Sequence, residues 1–506
     1  MKLLFLNLLM ILSLVSYQAS GQVIKVAAKD ATAAEKAAAK YQCNGQKDQV
    51  EINNALKEGK TVELSSGNFS CDGTINGGAN ILQGKGKGTT KIVTTAGTGL
   101  KFQGSRSERN KFSATIQKGA KKIDVKKDLS PWVNPGDRVL ITSDDMYCGL
   151  RQYYRKGESV IVERVEGSSL VLQSGLKDTY TTNIRVYTYN MINNVGVENL
   201  TFEVRNSSIS LFIENATNVF YKNIDLKDPT EKCWQGFRIS HVYGFVYQNL
   251  RAEGILHDHS SNNPHGYGFY LSGAEDGELL NCYGYNNKHS FEVSGYGYVP
   301  VTRNIVIKDC VADNDWKAGF STHGAASGID WINCTVKEGN GGFLIRSDNN
   351  RIINPKVSFR SGAYNAPFFI GEYTQQGGTW DKYDGIGGDQ LVIENAEVNC
   401  NNNSVPYFQF RDPIRTVHIS GGTFQGARNG ILFGEGKVCD DFDLKDVTFK
   451  AGGMKTLFDI HPKSGAPTLH ISFENVNICG ATDGIDLLKT DQEVNLTMKG
   501  VDMSCN

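Results

Sequence analysis

The sequence has little proline and no excess of charge of either sign. Only 11 of its 506 residues are proline, and no stretch rich in proline or serine marks a linker between domains. The formal net charge is −1, whereas a protein that neutralises nucleic-acid phosphates needs a clear surplus of lysine and arginine. These absences favour one continuous folding unit and argue against a nucleic-acid-binding protein.

Long hydrophobic runs are missing after the first 21 residues. The opening "MKLLFLNLLMILSLVSYQASG" has a lysine at position 2, an apolar run from Leu3 to Val15, and small residues at its end. This order is typical of a signal peptide, here cleaved before Gln22. No later segment is apolar enough to cross a bilayer. We therefore expect a signal peptide at residues 1–21 and a secreted protein, extracellular or periplasmic, without a membrane span.

The eleven cysteines are compatible with an oxidising compartment, although their odd number leaves at least one unpaired. Cys43 and Cys71 flank a short predicted helix and strand, and they are the first pair that we expect to form a disulfide bond. Cys282, Cys310 and Cys334 each follow a turn residue of a repeat described next. We interpret these three as small apolar wall residues first and as bridge candidates second.

A short strand pattern recurs from about residue 190 onward, for example in "VGVENLTF", "VFYKNIDL", "IVIKDCVA" and "FDLKDVTF". Such internal repeats indicate a stacked architecture and have to be sought before single elements are assigned. Nearly every copy has an asparagine, aspartate or glycine at its corner: Asn199, Asn223, Asn249, Asn281, Asp309, Asn333, Asn354, Asn395, Gly421, Asp446, Asn475 and Gly500.

A second pattern falls between these copies, where a phenylalanine and the residue two later share one strand face. Two strands and two corners per repeat describe one coil of a parallel β-solenoid. A sandwich would need hairpin signals and a helical repeat would need a 3.6-residue period, and neither pattern is present. We predict an all-β, single-stranded right-handed parallel β-helix. The phenylalanine column comprises Phe237, Phe269, Phe291, Phe320, Phe343 and Phe368.

The chain before the regular repeats is less uniform. Residues 22–190 are predicted to form an N-terminal cap, with helices that cover the first coil, followed by irregular coils and projecting strands. Residues 191–506 are predicted to form the regular coils. Without a linker between them, we expect both parts to be one continuous folding unit and the protein to be a monomer.

Residues that alternate with the phenylalanine column should point out of the solenoid. His323 in "GFSTHG" and Arg346 in "GGFLIRSD" occupy the same slot of consecutive coils, so both should contact one substrate residue. The outward positions predict an exposed strip that contains Arg238, Tyr270, Glu292, Ser294, His323 and Arg346. His265 and His289 lie in or beside adjoining coils and are further candidates.

The alternative role for so many histidines is the binding of a metal ion. Zinc sites favour close pairs such as His-x₃-His or Cys-x₂-Cys, and His257 with His259 in "HDHS" is a weak match to them. Calcium needs several oxygen ligands, and Asp313, Asp315 and Asp348 could supply some of them. No loop has a convincing ligand spacing, so no cofactor is assigned, calcium remains open, and the metal site is unknown.

Several segments resemble a known family. The repeat, the stretch "YQCNGQKDQVEINNALKEGKTVELSSGNFSC" and the stretch "YYRKGESVIV" resemble secreted pectate-lyase-like right-handed β-helix proteins, which include polysaccharide lyases, uronan C5-epimerases and phage-type depolymerases. The coil pair around His323 and Arg346 is similar to that of mannuronan C5-epimerases, but Ser-Thr-His stands where those proteins have Asp-Pro-His. The calcium aspartates of pectate lyases and the "NTDG" phrase of polygalacturonases are absent.

The resemblance implies a carbohydrate-active enzyme whose substrate is an acidic, uronate-containing polysaccharide, cleaved by β-elimination. Arg346 is expected to bind the substrate carboxylate. His323 or His289 is expected to act as the base, and Tyr270 is expected to act as the acid that protonates the leaving oxygen. Alternatives are a C5-epimerase, which shares the first step, and a non-catalytic glycan-binding solenoid. A glycoside hydrolase would need two flanking carboxylates, for which Glu292, Asp313, Asp315 and Asp348 are candidates.

The segment "GEYTQQGGTWDKYDGIGGDQ" interrupts the repeat after Phe368. It is long, glycine-rich and aromatic, so we predict a loop that overhangs the groove next to Arg346. Tyr373 and Trp380 of this loop, with Arg238 and Glu292 of the strip, are the expected substrate-binding residues.

Overall fold

The computed structural model confirms the predicted right-handed parallel β-helix with an N-terminal helical cap. It describes residues 23–148, 153–259, 265–371, 390–411, 414–433, 439–450, 454–460, 469–480, 485–490 and 494–503. The proposed signal peptide and the segment that contains Tyr373 and Trp380 lie outside the described residues. Among the described residues, no helix is long and apolar enough to cross a membrane.

Two helices and eight strands precede an insertion into the solenoid. The helices are α1 (Ala33–Ala38) and α2 (Gln49–Glu58). The strands are β1 (Val23–Ala27), β2 (Tyr41–Gln42), β3 (Thr61–Leu64), β4 (Gly67–Cys71), β5 (Ile75–Gly77), β6 (Ile81–Gln83), β7 (Thr90–Thr94) and β8 (Thr98–Gln103).

The insertion is an antiparallel sheet, and the remaining strands return to the parallel coils. The insertion strands are β9 (Ser105–Phe112), β10 (Lys122–Asp124), β11 (Arg138–Met146), β12 (Arg155–Glu166), β13 (Ser169–Leu172) and β14 (Ile184–Asn190). The later strands are β15 (Ile192–Val204), β16 (Ile209–Lys227), β17 (Gln235–Gln248), β18 (Arg251–Glu253), β19 (Tyr267–Leu280), β20 (Tyr283–Tyr285), β21 (His289–Ser294), β22 (Thr302–Lys308), β23 (Val311–Asp313), β24 (Ala318–Thr322), β25 (Ala326–Ile332), β26 (Thr335–Gly339), β27 (Gly341–Ile345), β28 (Asn350–Ile353), β29 (Lys356–Phe359), β30 (Phe368–Ile370), β31 (Leu391–Phe410), β32 (Ile414–Phe433), β33 (Cys439–Lys445), β34 (Thr448–Lys450), β35 (Thr456–Ile460), β36 (Leu469–Glu474), β37 (Asn477–Cys479), β38 (Asp486–Lys489) and β39 (Val494–Lys499).

The phenylalanine column is confirmed as the centre of the solenoid core. Parallel pairing aligns Phe291 with Phe320 and Phe320 with Phe343. The rings of each pair are nearly parallel, with centroids 4.9 Å apart. This spacing follows from the distance of about 4.8 Å between neighbouring strands. The stack makes the register of one coil depend on the next, because a shift by one residue would turn the rings outward.

The corner ladder is also confirmed. Its twelve predicted residues all have a positive φ, between 51° and 67°, which asparagine, aspartate and glycine tolerate best. The side chains bond to each other from coil to coil: the Asn333 amide donates to Asp309 at 2.8 Å, and the Asn354 amide donates to Asn333 at 3.0 Å. The ladder therefore combines a backbone requirement with a row of side-chain hydrogen bonds.

The predicted disulfide bond between Cys43 and Cys71 is wrong, because both residues are buried free thiols. Flanking a helix and a strand does not bring two sulfur atoms into bonding geometry, which is narrow. Cys282, Cys310 and Cys334 are buried free thiols as well, which agrees with their interpretation as wall residues.

The insertion, residues 105–190, has an apolar core of its own that is separate from that of the solenoid. Buried polar contacts attach it to the coils. Arg303 pairs with Asp178 at 2.7 Å, and the Tyr147 hydroxyl donates to Asp348 at 3.1 Å. A buried polar or charged group that loses its partner destabilises the fold. These contacts therefore hold the insertion in one position over the coils that carry the site.

Candidate active site

The outward strip predicted from the sequence runs along one face of the solenoid. Register aligns Arg238 with Tyr270, and Tyr270 with Glu292, on successive coils. His323 and Arg346 follow three residues after the paired Phe320 and Phe343, so they occupy equivalent places on the next coils. The structure thus brings together residues that span more than a hundred positions in the chain.

Most of the strip is covered, and the expectation that it would be exposed is wrong for Tyr270, Glu292, Ser294 and Arg346, whereas Arg238 and His323 are half-buried. Glu292 is 1% exposed, Arg346 7% and Tyr270 9%. Side chains of the insertion pack above this face, where Tyr147 and Tyr154 form a cluster with Val301. The sequence pattern identified the outward side of each strand, but it could not show that a second sheet lies over it.

Glu292 lies at the base of the site between His323 and Arg346. Its Oε1 is 2.7 Å from Nε2 of His323 and 3.5 Å from Nη2 of Arg346. Burial alone would raise the pKa of Glu292, but His323 and Arg346 lower it to about 2. The residue is therefore a buried carboxylate that orients both neighbours, and its contacts are made within the protein.

Arg346 is held by the coil below it. Its Nε donates to the Thr322 carbonyl at 2.6 Å, and its Nη2 donates to the Ser321 hydroxyl at 2.8 Å. Nη2 also lies 3.3 Å from Nε2 of His323. A guanidinium with several fixed donors loses little freedom when it binds an anion, which suits recognition of a carboxylate.

Tyr154 is the site residue that sequence reasoning missed. Its hydroxyl is 2.5 Å from Nδ1 of His323, across 169 residues of chain. Nε2 of the same ring lies 2.7 Å from Oε1 of Glu292 and 3.3 Å from Nη2 of Arg346. The His323 imidazole therefore lies between the Glu292 carboxylate and the Tyr154 phenol. The "YYRKGESVIV" segment was the only signal, and it carries no spacing that points to His323.

A pocket of about 320 Å³ opens beside this chain of groups. Its polar lining includes His289, Lys317, Arg346 and Arg411, and among the residues that the structure describes no carboxylate lines it. Leu344, Ala366 and Phe369 are among its apolar walls. The pocket is therefore suited to a ligand that is anionic on one side and apolar on the other.

His289 lies at this pocket in its neutral form. Its Nδ1 donates to the Ala318 carbonyl at 3.0 Å, which leaves the lone pair on Nε2. Burial is the main cause that lowers its pKa, to about 3. A group with so low a pKa does not carry a proton near neutral pH, but it can accept a hydrogen bond.

The remaining predicted residues lie farther along the same face. Tyr270 stacks on Tyr267 with a centroid distance of 5.2 Å, and Arg238 covers the Phe212 ring at 4.4 Å. His265 stacks on Trp234 instead of approaching the Glu292 contacts.

The aspartates considered as calcium ligands are engaged separately. Asp315 accepts hydrogen bonds from the backbone amides of Asn287 and Ser290, Asp348 accepts from Tyr147, and Asp313 accepts from Tyr283. Within the part of the chain that the structure describes, the one group of three metal-ligand side chains is Cys43, Asp48 and Glu51 in the N-terminal cap.

Comparison with known proteins identifies the fold. No protein-family model matches the sequence, and no curated protein sequence matches it. The tailspike gp49 of Pseudomonas phage LKA1 is 16% identical with a TM-score of 0.58, over 86% of this chain and 75% of that chain. The tailspike gp61 of Pseudomonas phage phi297 is 14% identical with a TM-score of 0.55, over 85% and 72%.

The Gp54 tailspike of Acinetobacter baumannii bacteriophage AP22, solved in complex with A. baumannii capsular saccharide, is similar to the same extent. It is 16% identical with a TM-score of 0.56, over 90% of this chain and 77% of that chain. At these identities the likeness establishes the fold. It is the parallel β-helix expected from the sequence.

Proposed function

We propose that this chain is a polysaccharide lyase that cleaves a uronate-containing polysaccharide by β-elimination. The observation that carries the proposal is the chain of contacts from Glu292 through His323 to Tyr154, together with Arg346, which contacts Glu292 and His323 and lines the cationic pocket. A saccharide substrate is further supported by the similar Gp54 tailspike, which was solved with a capsular saccharide.

The first requirement of the reaction is neutralisation of the substrate carboxylate. Withdrawal of charge from this group acidifies the neighbouring C5 proton. Arg346, Lys317 and Arg411 line the pocket together. In the proposed complex, the uronate carboxylate binds Arg346, and His289 accepts a hydrogen bond from a sugar hydroxyl through Nε2.

The second requirement is proton transfer. In the proposed step, His323 takes the Tyr154 proton on Nδ1 while Glu292 stabilises the resulting imidazolium, as in a catalytic triad. The Tyr154 phenolate removes the C5 proton, the C4–C5 double bond forms, and the C4–O4 bond breaks. The proton is then delivered to O4 of the leaving sugar. The products are a new chain end and an unsaturated uronate, without an added water.

A hydrolase on the same face is less well supported. Hydrolysis needs one carboxylic acid and one carboxylate on opposite sides of the scissile bond. Glu292 is buried between His323 and Arg346, and Asp315 is bonded to backbone amides beneath the surface. The C5-epimerase alternative shares the first proton abstraction, so the two are separated by their products.

The test is an assay of the protein with alginate, pectate, glycosaminoglycans and neutral glycans, in which ultraviolet absorbance and reducing ends are followed together. A lyase yields both signals. Reducing ends without absorbance would indicate a hydrolase, and an altered uronate configuration in NMR spectra without either signal would indicate an epimerase. Either of these two results would overturn the proposal.

Matched variants localise the activity. His323→Ala and Arg346→Ala should abolish cleavage. His418→Ala and Arg351→Ala should not, although His418 and Arg351 also contact carboxylates, at 2.7 and 3.6 Å. Full activity of both His323→Ala and Arg346→Ala would reject the site. Secretion is part of the proposal and rests on residues 1–21; recovery of protein that begins at Gln22 from the periplasm or medium would test it.

A further inference from the structure

A second group of aromatic and basic side chains lies on the same face, on the N-terminal side of Glu292. Trp234 is 40% exposed, which is unusual for so large an apolar side chain. It stacks on His265 with centroids 5.5 Å apart and an interplanar angle of 18°, and its ring is 4.7 Å from that of His257. Burial lowers the pKa of both histidines, that of His265 to about 4, so the whole stack is uncharged near neutral pH.

Arg238 lies next to this stack with an incomplete set of hydrogen bonds. Its Nη1 donates to the Gln235 side chain at 2.9 Å, and its guanidinium packs on the Phe212 ring. Its Nε is buried and has no acceptor among the described residues. A buried donor without an acceptor is destabilising, and a bound anion would supply the missing acceptor.

The register connects this group to the candidate active site. Arg238, Tyr270 and Glu292 occupy the same position on three successive coils, so Arg238 and Glu292 are separated by about 10 Å along the solenoid. An extended polysaccharide along this face would pass both places.

We propose that Trp234 and Arg238 form a distal subsite that binds a second uronate residue of the same polysaccharide chain. Trp234 supplies an exposed face for the sugar ring, and Arg238 binds the carboxylate of that residue through a charge-assisted hydrogen bond. The inference rests on the proposed function and extends it: the enzyme recognises two acidic residues of one chain, and only the one near Arg346 is cleaved.

The experiment compares Trp234→Ala and Arg238→Gln with matched controls. Trp132→Ala removes another exposed tryptophan, on the insertion, and Arg251→Gln removes another arginine that packs on a ring, at 4.7 Å from Tyr283. On the long polymer that the wild type cleaves, the two subsite variants should raise KM about tenfold with kcat unchanged. On the shortest oligosaccharide that is still cleaved, all four variants should match the wild type. Unfolding midpoints show whether each variant is folded.

An unchanged KM of folded Trp234→Ala and Arg238→Gln on the polymer would reject the subsite and leave the lyase proposal intact. If the wild type cleaves no polymer, binding of alginate and polygalacturonate is measured directly. Weaker binding by the two subsite variants than by the two controls would then support the subsite without the lyase reaction. Equal binding by all of them, or no binding by the wild type, would overturn it.

Discussion

Tyr154 and His323 are joined by a hydrogen bond of 2.5 Å although they belong to different parts of the fold. His323 follows a strand of the solenoid, whereas Tyr154 belongs to the antiparallel insertion. The insertion therefore forms part of the candidate site, because it completes the group of side chains around Glu292. Whatever fixes the insertion on the coils also fixes the distance on which the proposed chemistry depends.

Removal of the Tyr154 hydroxyl should abolish cleavage without unfolding the protein. Tyr154→Phe retains the ring that packs in the cluster with Val301 and loses only the proton-transfer group. We expect kcat to fall by roughly 10²–10⁴-fold. The control is Tyr296→Phe, since Tyr296 is 62% exposed and packs on the neighbouring Tyr153. A Tyr154→Phe enzyme with wild-type kcat would exclude the proposed role of this hydroxyl.

Glu292→Gln should change the acid stability of the protein. The folded-state pKa of Glu292, about 2, lies below its ordinary value of 4.5, so its stabilisation is present above pH 4.5 and is lost as the pH falls through about 2. The variant should lose about 3 kcal/mol of unfolding free energy at pH 7 and lack this acid-dependent step. Denaturant unfolding at several pH values measures both effects.

The control for that experiment is the exposed Glu278, substituted by glutamine. The loss of the Glu278 charge should leave the free energy of unfolding near that of the wild type. If Glu278→Gln and Glu292→Gln behaved alike, the buried contacts of Glu292 with His323 and Arg346 would contribute nothing to folding.

Asp315→Asn should change stability in the opposite pH direction. Burial raises the pKa of Asp315 from 3.8 to about 7. The folded state therefore retains this proton while the unfolded state loses it, and stability falls as the pH rises from about 4 to about 7. The fall amounts to at most about 4 kcal/mol and should be absent in the variant. Thermal unfolding across this range, with the exposed Asp486→Asn as control, measures the slope; an unchanged slope would refute the assignment.

Phe320→Ala should destabilise the coils that carry the site. Phe320 stacks between Phe291 and Phe343 and also packs on Trp331. Truncation should cost about 3–5 kcal/mol of unfolding free energy, through lost burial and a residual cavity. Val50→Ala, at a site that is 49% exposed, should cost far less. Equal denaturation midpoints for the two variants would contradict the central role of the stack.

Two substitutions of Asn333 separate the two functions of the corner ladder. Both Asn333→Gly and Asn333→Ala remove the hydrogen bonds to Asp309 and from Asn354. Only alanine is strained by the φ of 53° at this position. Asn333→Ala should therefore be less stable than Asn333→Gly by about 1–2 kcal/mol. The reverse order in denaturant unfolding would show that backbone strain is unimportant at this corner.

Much of the fold was predictable because its sequence signals are local and repeated. A phenylalanine column and a corner column recur in many coils, so an error in one copy does not affect the assignment. The alternation of side chains along a strand also placed His323 and Arg346 in equivalent positions. The disulfide bond between Cys43 and Cys71 failed for the opposite reason, since it relied on a single pair whose relative geometry no repeat defines.

The amino-acid sequence by itself determined the solenoid, its register and the outward face that carries the candidate site, because each depends on residues separated by one period. Only the tertiary structure decided that most of the strip is covered, that Glu292 is a buried carboxylate, and that Tyr154 meets His323. These features depend on how a second sheet docks on the first. Docking arises from surface shape and buried polar pairs such as Arg303 with Asp178, which leave no periodic signal in the chain.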